Sequence, residues 1–127
     1  MWPVLLLGLL FPTDVSALTI PPEMMVMSDP IEIKKEEWID ALHMCENKND
    51  VVKILDVNGK YSYGAYMFQM GTWLAYGKEF GATRDNIGSS TLQRKVVRDM
   101  LDDGGAGHWW NCSKLISSRL GAYPHNP

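Results

Sequence analysis

Glu46 is the residue of this chain best placed to do chemistry. It stands directly after Cys45, at the end of a stretch with helical spacing and just ahead of a β-hairpin signal. A carboxyl at such a junction, desolvated by aromatic neighbours, keeps its neutral form to higher pH, which is what a general acid needs. Asp50 and Asp56 follow closely. A second carboxylate nearby would share the work, as a nucleophile at about 5 Å from the acid or as a base for water when further away. Asp56, on the first hairpin strand, either faces a cleft or caps the next turn, and the turn role is the preferred reading. In the run Gly64-Ala65-Tyr66-Met67-Phe68-Gln69, Gly64 permits a close backbone approach. Gln69 offers an amide donor and acceptor to sugar hydroxyl or N-acetyl groups. His108-Trp109-Trp110-Asn111-Cys112 sets bulky aromatics before the second cysteine. His108 reads as a packing or hydrogen-bonding residue, and the two tryptophans read as core before sugar platform, with one of each as the alternative.

The elements that must position these groups have clear signals. Trp38, Leu42 and Cys45, with Ala41 alongside, make one apolar face of a first helix over about 34–47. Asn58-Gly59 between Ile54–Val57 and Lys60–Tyr63 predicts a hairpin with a type I′ turn, in which both residues take positive φ. Helix resumes near Gly71-Thr72-Trp73-Leu74. A third helix begins at Ser90 with Ser90-Thr91-Leu92-Gln93 as a capping box, and carries Leu92, Val96, Val97, Met100 and Leu101 on one face. Gly104-Gly105 ends it, and a last helix covers about 110–120. Arg94, Lys95 and Arg98 fall on the polar side of the third helix, a solvated face suited to holding the protein near an anionic surface. This order predicts an α+β domain over 35–122, mainly helical with a small hairpin.

The chain has 127 residues and a net charge of −3, which gives one domain and none of the basic excess of a general nucleic-acid binder. Its two cysteines are too few for a four-ligand zinc site and form no CxxC pair, and no cofactor is expected. The apolar run Trp2–Phe11 is shorter than the about 20 residues that span a bilayer. With the small residues Val15-Ser16-Ala17 it reads as a secretory signal over 1–17, although no Lys or Arg precedes it. Residues 18–34, with Pro21-Pro22 and Pro30, read as a linker.

The series Trp38, Cys45-Glu46, Tyr63-Gly64-x-x-x-Phe68-Gln69, Thr72-Trp73, Gln93 and Gly107-His108-Trp109-Trp110-x-Cys112 resembles the lysozyme-like domain of resuscitation-promoting factors. It is also similar to small soluble-lytic-transglycosylase-type domains. The likeness covers about 38–112. It implies a secreted, monomeric enzyme whose partner is peptidoglycan, with no nucleic acid and no membrane insertion after signal cleavage. Glu46 is then the catalytic acid. Gly64, Gln69 and Trp73 belong to the cleft floor and its support, with Tyr63, Asn47 and Trp109 beside the substrate. The resemblance also implies a Cys45–Cys112 disulfide, which a secreted chain with two cysteines favours independently. Where the family has Ser-Gly after its Glu, this chain has Asn47-Lys48. Asn47 is expected to replace the Ser hydrogen bond, and Lys48 to disturb the acid. The family Gln precedes its Phe, whereas Gln69 follows Phe68. A lytic transglycosylase needs only one carboxyl, so cleavage of the MurNAc–GlcNAc β-1,4 bond by that route is the first expectation. A hydrolytic lysozyme and a non-catalytic wall-binding module are the alternatives.

Overall fold

The computed structural model describes residues 29–125. The expected signal, 1–17, and the linker as far as residue 28 lie outside the described residues. Helix α1, Pro30–Glu46, starts earlier than the expected residue 34, because Asp29 accepts the Ile31 N–H at 2.9 Å and Pro30 occupies the first turn. Residues 30–34, expected to be linker, are its opening turn.

An antiparallel three-stranded sheet follows, β1 (Lys53–Leu55), β2 (Tyr61–Tyr63) and β3 (Phe68–Gln69), in the order β1-β2-β3. Leu55 pairs with Tyr61, and the Asp56 N–H donates to the Lys60 carbonyl at 2.8 Å. Three residues therefore form the loop, and of these only Gly59 has positive φ, at 79°. The turn is not type I′. It is the three-residue kind in which a final left-handed residue absorbs the strand twist. β3 has no signal of its own in the sequence: two residues pair with β2 after the Gly64–Met67 turn.

α2 (Met70–Tyr76), a single 3-10 turn (Lys78–Phe80), α3 (Ser90–Asp102), a short 3-10 helix (Gly105–Trp109) and α4 (Trp110–Leu120) complete the α+β unit. Ser89, not Ser90, caps α3, accepting the Leu92 N–H at 3.2 Å. The helix faces meet in a core that includes Trp38, Leu42, Phe68, Trp73, Val97 and Ile116, all at 2% exposure or less. Phe68 stands edge-on to both Trp73 and Trp109, with ring centroids 5.2 and 5.7 Å away.

Arg94 and Arg98 do not form the free basic face that was expected. Arg94 pairs with Glu36 and Asp40, and Arg98 with Glu32 and Glu36, so the two clamp α3 to the acidic side of α1. Lys35, also on α1, is buried against Asp102 at 2.9 Å. At the other end of α1, the Cys45–Cys112 disulfide ties it to α4.

Candidate active site

The end of α1, the sheet and the segment Gly105–Trp109 enclose an open cleft of about 500 Å³. Its polar lining is Glu46, Asp56, Ser62, Gln69, Thr72 and His108, and its apolar walls are Ile54, Met67, Phe68 and Trp109.

Glu46 is the last residue of α1, half-buried, and two neighbours in sequence fix it. Cys45 is held by the disulfide. Asn47, 4% exposed, uses its whole amide on the backbone: Nδ2 donates to the carbonyls of Val51 and Gly64 at 2.7 and 2.9 Å, and Oδ1 accepts the Val51 N–H at 2.8 Å. Asn47 therefore turns the chain from helix into sheet. It does not line the cleft, and its amide has no hydrogen left for a substrate. Burial, and next the negative charge of Asp56, hold the Glu46 carboxyl above its ordinary pKa of 4.5. Lys48, expected to disturb the acid, is exposed, and is not among the causes of that shift.

The side chain of Asp56 enters the cleft. Its Oδ2 accepts hydrogen bonds from Ser62 Oγ and from Gln69 Nε2, the latter at 3.1 Å. The turn role preferred for Asp56 falls instead to Asn58, whose Oδ1 accepts the Lys60 N–H at 3.0 Å. Asp50 faces His43, 2.8 Å away and outside the cleft lining. Gln69 is in the cleft as expected, but its amide nitrogen is already bonded to Asp56.

Gly64 does not line the cleft. Its φ is +74°, and a Cβ there would meet Gln93 Nε2 at 2.5 Å. Gln93 is the strut beneath this loop, fully buried. Its Nε2 donates to the carbonyls of Tyr63 and Ile87 at 2.8 and 2.5 Å, and its Oε1 accepts the Tyr66 N–H at 2.9 Å. The capping-box role expected of Gln93 is thus displaced by tertiary bonds. Tyr63 reaches Gln93 through its carbonyl and lies outside the lining. Tyr66 is pinned twice more, by Trp109 Nε1 donating to its carbonyl at 2.9 Å and by Arg94 Nη1 donating to its hydroxyl at 3.2 Å. The next residue, Met67, projects into the cleft from a φ of 52°.

Trp73 is fully buried and supports the cleft from behind, its Nε1 donating to the Thr83 carbonyl at 2.9 Å. The tryptophan pair divides: Trp109 is buried at the cleft wall, whereas Trp110 is 63% exposed beneath the Lys114 ammonium. His108 lines the cleft and packs edge-on against Tyr76. Sequence reasoning missed Ile54, Ser62, Met67, Phe68 and Thr72 as lining residues. Ser62 had a detectable signal, a small polar residue alternating with two tyrosines and hence facing the other way. Among the described residues, no group of His, Cys, Asp and Glu is arranged to hold a metal.

The arrangement offers a protonatable carboxyl and, beside it, a hydrogen-bonded carboxylate in an open cleft. The model of the transglycosylase-like domain family matches residues 33–112, a span that contains every lining residue. No curated protein and no solved structure matches the chain.

Proposed function

We propose, from the premise that the chain belongs to the transglycosylase-like domain family, that it is a lytic transglycosylase cutting the MurNAc–GlcNAc β-1,4 bond of peptidoglycan with Glu46. Membership of the family supports peptidoglycan-lytic activity at the general level, and the α+β fold fits a lysozyme-like domain. The observation that carries the finer reading is Glu46 itself, a half-buried carboxyl in the cleft with its proton affinity raised by burial and by Asp56.

In this mechanism Glu46 donates its proton to the glycosidic oxygen as the bond to the anomeric carbon breaks. The C6 hydroxyl of the same muramyl residue attacks that carbon and gives its proton to the Glu46 carboxylate, so the acid is regenerated and an anhydro end is left. Asp56 supplies negative charge beside the developing positive charge on the sugar ring. Hydrolysis is the second reading, favoured by the position of Asp56. One oxygen is bonded to Ser62 and Gln69, and among the described residues the other accepts no side-chain hydrogen bond, which leaves it to activate water. The disulfide supports action in an oxidising compartment, outside the cytoplasm.

The test is digestion of purified peptidoglycan followed by mass spectrometry. Anhydro-muropeptides are expected from the wild type, and reducing ends would replace the first reading by the second. Glu46→Gln should still bind the wall polymer and lose activity by roughly 10²–10⁴-fold, the usual loss when a general acid is removed. Wild-type digestion by Glu46→Gln would overturn the assignment.

A further inference from the structure

The hydrogen bonds behind Asp56 extend beyond the cleft. Gln69 Nε2, besides its bond to Asp56, reaches Asn58 Oδ1 at 3.3 Å, while Asn58 Nδ2 donates to Gln69 Oε1 at 3.2 Å. The two amides are paired, donor to acceptor in both directions. Because Asn58 occupies the Gln69 oxygen, the nitrogen is the group left to face Asp56. A flipped Gln69 would set its carbonyl against the carboxylate. Asn58 is itself oriented by the Lys60 N–H of its own turn.

We propose that Asn58 is a positioning residue of the cleft, acting through the Gln69 amide to hold the Asp56 carboxylate beside Glu46. Asn58 is exposed and outside the cleft lining, so it touches no reacting atom. The titratable groups lining the cleft are Glu46 from α1, Asp56 from the hairpin and His108 from the 3-10 helix. Asn58, Gln69 and Ser62 are neutral. Exchanging Asn58 for another neutral residue therefore moves charge without adding or removing it. The consequences for rate rest on the proposed role of Glu46, whereas the amide pairing does not.

Asn58→Ser separates positioning from turn formation. Its hydroxyl still accepts the Lys60 N–H, as Ser does in turns, but it is too short to pair with the Gln69 amide. The melting temperature should stay at the wild-type value. Turnover of peptidoglycan should fall about tenfold or more, since small misplacements of reacting groups have effects up to about 10²-fold. The basic limb of the pH–rate profile should move to lower pH as the Asp56 charge drifts from Glu46. Because the two residues act in series, Asn58→Ser with Gln69→Ala should be no slower than Gln69→Ala alone. Wild-type turnover and pH profile in Asn58→Ser, or losses that multiply in the double variant, would overturn the proposal. A carboxyl-carbon NMR titration reads the same effect without turnover. The Glu46 midpoint should fall in Asn58→Ser, and an unchanged midpoint would overturn the positioning role. If the wild-type protein cleaves no peptidoglycan, the proposed function fails, and that titration alone decides the role of Asn58.

Discussion

Gly64→Ala tests whether the cleft rests on a close approach between the turn after β2 and Gln93. A Cβ at this position would lie 2.5 Å from Gln93 Nε2 and 2.9 Å from its Cδ, and the backbone φ of +74° is one that side chains resist. The left-handed conformation alone costs about 1–2 kcal/mol. Gln93 is fully buried and bonded to three backbone groups, so moving it aside strands polar atoms at about 1–3 kcal/mol. The combined loss of about 2–5 kcal/mol is a large part of the roughly 5–15 kcal/mol that stabilises an ordinary domain. For a domain near 100 residues it lowers the melting temperature by about 10–30 °C. Circular dichroism melts of Gly64→Ala and Gly71→Ala make the comparison. Gly71 lies in α2 with open space where its Cβ would be, and its replacement should be neutral or stabilise by about 0.5–1 kcal/mol. If Gly64→Ala melts as high as Gly71→Ala, Gln93 moves freely and the strut does not exist.

Reducing Cys45–Cys112, 67 residues apart in sequence, removes a constraint that the chain-entropy model rates at about 4 kcal/mol; melts with and without reductant should differ clearly, and coincident melts would refute a stabilising role. Asp56→Asn should lower the Glu46 pKa part of the way towards 4.5, since burial persists while the neighbouring charge is gone. The basic limb of the pH–rate profile then moves to lower pH, and an unmoved limb would show that the two carboxyls do not interact. Glu46→Gln should stabilise the fold at neutral pH. A carboxyl whose folded pKa is raised keeps its proton longer when folded than unfolded, so stability falls as pH climbs from about 4.5 through the raised value. Substitution removes that loss, and the gain should vanish below pH 4.5 in melts taken across the range.

The helices were legible because each buries a stripe whose period is local: Trp38 and Leu42 on α1, with Cys45 next on that face but exposed, and Val96, Val97, Met100 and Leu101 on α3. Asn58-Gly59 marked where the hairpin turns but not how, since two-residue and three-residue loops share the same glycine signal. That Glu46 lies in the cleft was legible from its place between two elements. The direction of Asp56 was not, because donors from β2 and β3 decide it and the nearer of them is six residues away. Gln93 shows the same competition, a local capping pattern giving way to partners up to 30 residues distant. The arginines of α3 looked solvated because their acidic partners lie on α1, more than 50 residues earlier in the chain.

Tyr66, the residue before Met67, is fastened at its N–H by Gln93, at its carbonyl by Trp109 and at its hydroxyl by Arg94. Such a loop has little freedom left to lose when a ligand arrives. Ordering a mobile wall on binding would subtract from affinity at about 0.5–1.5 kcal/mol for each immobilised side chain. Here that work is done during folding, so the entropic cost of association falls mainly on the sugar chain. In calorimetry, glycan binding should show a heat-capacity change that matches the apolar area covered, without the larger signature of coupled folding.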